Sequence, residues 1–68
     1  MKLIEREWNV ILNEYMNVWL ADDESGITAD FDSDSAAGST IIVISTASTW
    51  MKNTQGKWQK VGTTEVVA

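Results

Sequence analysis

Apolar residues in the first twenty positions recur with a helical period. Taking about 100° per residue from Trp8, the side chains of Ile4, Leu12, Tyr15 and Trp19 fall within about 40° of it, flanked by Ile11 and Val18 on one side and Met16 on the other. Lys2, Arg6, Asn13, Glu14 and Asn17 lie opposite, together with Leu3 and Val10. The stripe predicts an N-terminal amphipathic helix within residues 1–20, with Ile4, Trp8, Leu12, Tyr15 and Trp19 as its core or oligomer face. "WNVIL" also reads as a strand, and Asn9, Asn13 and Asn17 are indifferent helix formers. The period holds across the whole run, and on that ground the helix is preferred.

Residues 21–40, "ADDESGITADFDSDSAAGST", have turn and loop chemistry, since Asp, Ser and Gly satisfy local backbone groups and tolerate turn conformations. Within them "ITADF" reads as a short strand or as Ile27 and Phe31 buried as plugs. "STIIVIST" is short, β-branched and bounded by Gly38 and Ser48, the pattern of a buried strand. Asn53-Thr54-Gln55-Gly56 suits a type I turn followed by a left-handed Gly56, which closes a hairpin with Asn53 against Lys57 and Lys52 opposite Trp58. Trp50 and Trp58 then become diagonal neighbours on a face shared with Lys52 and Lys60. These four are the candidate partner-binding residues, because tryptophan is enriched at interface hot spots and lysine stems stack on indoles. The expected fold class is α+β in one small domain: helix 1–20, acidic loop 21–40, and strands with a C-terminal hairpin over 41–68. "GTTEVVA" at the end reads as a last strand or as a tail that adds to a partner's sheet edge.

Size narrows the possibilities. A 68-residue chain buries only about 60% of its unfolded surface, and with no Cys or His it lacks disulfides and the usual zinc and haem ligands. Extra stability is therefore expected from a partner or from self-association. Glu5, Arg6, Glu7 and Glu14 break up any apolar core of a signal peptide, and no long uncharged apolar span follows, so neither targeting nor membrane contact is expected.

The formal charge of −5 divides unevenly: −1 over residues 1–20, −6 over 21–51 and +2 over 52–68. Such a chain repels phosphate backbones, so nucleic acid is not an expected partner. Its acidic cluster is Asp22, Asp23, Glu24, Asp30, Asp32 and Asp34. The alternate spacing of the last three is that of an EF-hand, but Ser35 stands where that loop needs glycine and Ile41 where it needs glutamate. No metal, cofactor or catalytic residue is assigned. A base beside a nucleophile is missing, no G-x-S-x-G marks a serine, and the chain is read as non-enzymatic.

Residues 34–62, "DSAAGSTIIVISTASTWMKNTQGKWQKVG", resemble a segment of small structural proteins of tailed bacteriophages, including head-fibre and capsid-decoration proteins. The resemblance implies an assembling or attaching module. On that basis the expected role is a virion accessory protein, made in the host cytoplasm, that forms a homo-oligomer and decorates, cements or adapts a capsid or neck surface. The alternative is a small phage inhibitor of a host nucleic-acid-binding or defence enzyme, with the acidic cluster imitating phosphates. A dimerising regulatory module is a third reading.

Overall fold

A computed structural model describes residues 1–67 and contains five strands in the order β1 (Lys2–Asn9), β2 (Glu14–Ala21), β3 (Thr40–Val43), β4 (Ser48–Lys52) and β5 (Trp58–Lys60). They form one mixed sheet in that same order, and no helix occurs among the described residues. The expected N-terminal helix and the α+β class are thereby corrected to an all-β fold.

The helical stripe has a second geometric meaning. β1 and β2 pair antiparallel with Trp8 opposite Tyr15, Arg6 opposite Asn17 and Leu3 opposite Trp19, so Trp8 and Tyr15 meet across the hairpin as they would across two helical turns. Their rings make an edge-to-face pair with centroids 4.8 Å apart. A bulge between Leu3 and Glu5 adds one residue to β1 and shifts the register there. The four-residue turn is closed by Asn13 at φ 55° and by Asn9 Oδ1, which accepts from the Leu12 amide at 2.9 Å. Asparagine tolerates the left-handed region and bonds its own backbone, so the residues that are indifferent in a helix are well suited to this turn.

β2 and β3 run parallel, Trp19 beside Ile41 and Ala21 beside Val43, and the connection between them is residues 22–39. That connection is the acidic segment, and instead of standing in solvent it lies over one face of the sheet. Its Ile27 and Ala36 are buried and Phe31 packs on the core. Ile41, Val43, Trp50, Trp58, Ala21 and Ile27 form the central cluster, with Trp19, Phe31 and Val67 around it. β3, β4 and β5 are antiparallel neighbours, with Lys52 opposite Trp58 and Trp50 opposite Lys60. Gly56 at φ 78° and the Asn53 amide on the Lys57 carbonyl at 2.8 Å build the turn expected from "NTQG". The chain end folds back on its own sheet: Val66 bridges Gln59 and the Val67 amide donates to the Trp58 carbonyl, while Ala68 lies outside the described residues.

Candidate functional site

The residues expected on a binding hairpin point inward. Trp50 is 3% exposed, Trp58 0% and Lys52 4%, and only Lys60 of the four is partly open to solvent. A β-strand alternates its faces, so Trp50, Lys52 and Trp58 all point to the side that the acidic segment covers.

Each of three indole N–H groups is met by that segment. Trp19 Nε1 donates to Asp32 Oδ2 at 2.8 Å, Trp50 Nε1 to Glu24 Oε2 at 3.1 Å and Trp58 Nε1 to the Phe31 carbonyl at 2.8 Å. A buried indole requires such a partner, because an unmatched N–H is costly away from water. Lys52 follows the same rule. Its ammonium donates to the Asp32 carbonyl at 2.6 Å and the Ser35 carbonyl at 3.2 Å, and it lies 5.3 Å from the centre of the Trp58 ring. Burial lowers its pKa, against the raising effect of Asp32, Glu14 and Asp34.

The acidic cluster therefore divides into two kinds of carboxylate. Glu24 Oε2 also accepts from Ser48 Oγ at 2.9 Å and lies 3.7 Å from Lys60 Nζ. The Trp50 and Ser48 bonds, with Lys60 adding to them, hold its pKa below the ordinary value, which makes it a poor base toward the Ser48 hydroxyl. Asp32, at φ 49°, takes both the Trp19 indole and the Asn17 amide. Asp22, Asp23, Asp30 and Asp34 stay exposed, Asp30 accepting from Thr28 Oγ1 and Asp23 from Ser25. The Ser25 bonds lower the Asp23 pKa. Among the described residues no three carboxylates converge on one point.

Between the hairpin and the loop lies a cleft of about 320 Å³ bordered by Arg6, Tyr15, Asn17, Trp19, Asp32 and Asp34. Arg6 caps it, with its guanidinium 3.7 Å from the Tyr15 ring centre. Asn17 is buried on its floor, its amide given to Asp32 and its Oδ1 without a hydrogen bond. The Ser35 hydroxyl at the rim is bonded to the Asp32 carbonyl, so the cleft sets no nucleophile against a base.

The residues predicted for a helix face are spread along the N-terminal hairpin. Ile4, Trp8, Leu12 and Tyr15 are exposed to differing degrees and only Trp19 reaches the core. At the tip Val10 is 81% and Ile11 93% exposed, with Trp8 and Leu12 nearly half exposed beside them. The helical period does not single out this tip and places Val10 on the polar side. The signal that marks it is the pair of asparagines enclosing "VIL".

No family model, curated protein or solved structure matches the chain.

Proposed function

We propose that the chain is a non-enzymatic structural protein of a phage particle, docking on a capsid or neck surface through its N-terminal hairpin. The observation that carries this reading is the apolar tip, where Val10 and Ile11 stand almost fully in water with Trp8 and Leu12 next to them. Apolar area in water costs about 25 cal/mol per Å², and insertion of the tip into a partner groove removes that cost. The exposed Trp8, braced by Tyr15, is a ready anchor of the kind that dominates interface energetics. The resemblance of residues 34–62 supplies the setting, and in this fold those residues build the sheet that holds the hairpin out. Strand β1 itself is a poor docking edge, since Lys2, Glu5, Arg6, Glu7 and the bulge blunt it against pairing.

The test is quantitative mass spectrometry of purified particles of the encoding phage, comparing peptides of this chain with those of the major capsid protein. A fixed ratio that falls when Ile11 is changed to Asp supports hairpin docking. Absence from the particle overturns the proposal.

A further inference from the structure

We infer that the uncovered face of the sheet is a self-association surface, on which a second copy of this chain stacks to form a two-sheet sandwich. The acidic segment covers one face only. The other carries Val18 and Leu20 on β2, Thr40 and Ile42 on β3, and Thr49 and Met51 on β4, as the register requires. Ile42 and Met51 are each about two-fifths exposed, so the apolar side of a central strand pair meets water. An open sheet face of this composition is the half of a sandwich, and two such faces interdigitate about 10 Å apart.

Charge selects a second copy as the occupant. Strands β2 to β4 present no ionised side chain within that apolar strip, and the charges on this face lie at its border, Lys2, Glu5 and Glu7 on β1 and Glu14 at the hairpin end of β2. Six of the ten acidic residues belong to the segment on the opposite side. Stacking the uncovered faces thus places the two acidic layers outermost, about 30 Å apart with layers spaced as in sandwiches, beyond the Debye length of about 8–10 Å. A two-fold axis parallel to the strands sets β1 of one copy over β5 of the other, which keeps Glu5 and Glu7 away from their own mates.

Area sets the strength of such a pair as weak and reversible. Five strands at about 4.8 Å spacing give a sheet about 24 Å wide. The strands hold 8, 8, 4, 5 and 3 residues, and at about 3.3 Å per residue they lie under about 450 Å², an area at the small end of specific interfaces. Overlap of the central strands is therefore required, and a single charge at Ile42 or Met51 suffices to prevent it.

The experiment is sedimentation equilibrium of the full chain over a dilution series, beside Ile42→Lys and Met51→Lys at the face and Ile11→Lys at the hairpin tip. Near-UV circular dichroism confirms that each variant keeps its core. The expected result is twice the 7.6 kDa chain mass for the parent and for Ile11→Lys, with Ile42→Lys and Met51→Lys at the chain mass. A parent that stays at the chain mass overturns the inference, as does a dimer that survives both face substitutions or is lost only in Ile11→Lys. The docking proposal for the hairpin is read out separately by particle incorporation of the Ile11 variant.

Discussion

Glu24 Oε2 accepts the indole N–H of Trp50 across 26 residues of sequence, at 3.1 Å. That bond joins the start of the acidic segment to the middle of the sheet, and Ser48 and Lys60 reinforce it on the same oxygen. Changing Glu24 to Ala should loosen the segment and lower the midpoint of urea unfolding. Glu24→Gln keeps an acceptor for the indole and should lower it less. An order reversed between the two would mean that the carboxylate does not fasten the loop.

The same contact gives the protein an acid limit. Glu24 titrates lower in the fold than in the unfolded chain, because the Trp50 and Ser48 bonds and Lys60 favour its ionised form. Its stabilising contribution is thus complete above the unfolded value of about 4.3 and is lost as pH falls through the lower folded value. Thermal melting followed between neutral pH and pH values below 4 should show a decline that is smaller in Glu24→Gln. Equal slopes in the two proteins would sink this assignment.

Asp32 fastens the middle of the segment in a different way, through a left-handed backbone and a carboxylate shared by Asn17 and Trp19. Asp32→Ala should cost about 2–4 kcal/mol, since it strands two donors and puts alanine at positive φ. Asp32→Asn tolerates the backbone and retains one acceptor, and it should cost roughly half as much. Chemical denaturation distinguishes the pair.

Glycines at positive φ are not equivalent here. A Cβ on Gly38, at φ 96°, would stand 2.8 Å from Met16 Cε, whereas one on Gly56, at φ 78°, meets nothing within 4 Å. Gly56→Ala should therefore cost only the left-handed strain of about 1 kcal/mol. Gly38→Ala should cost about 2 kcal/mol, because φ is further from the left-handed minimum, while the Met16 methyl, at the end of a flexible side chain, can move aside. Matching losses would show that the difference in φ carries no cost.

Tryptophan fluorescence reports the inward turn of the sheet indoles. Iodide should quench Trp8, which is nearly half exposed, and leave Trp50 and Trp58 protected. In Trp8→Phe the quenchable fraction should largely disappear, with stability changed by about 1 kcal/mol or less at this exposed site. Quenching that persists in Trp8→Phe beyond the share of half-buried Trp19 would mean that Trp50 and Trp58 are accessible after all.

The residues themselves determined the parts of this protein that depend on near neighbours. The turn at Asn53 to Gly56, the register that sets Lys52 against Trp58, the strand around Ile41 and the loop character of residues 21–40 follow from turn chemistry and β-branching within a few positions. Helix and hairpin were not separable in residues 1–20, because partners seven apart such as Trp8 and Tyr15 meet in both: two turns along a helix, or directly across a hairpin. Only the tertiary structure decided between them, through the turn at Asn13 and the sheet that β2 joins. It also decided the direction of the indoles. Whether Trp50 and Trp58 face a partner or a core depends on where residues 22–39 lie, and their path is set by long-range bonds such as Asp32 to Trp19 and Glu24 to Trp50, which leave no periodic trace in the chain.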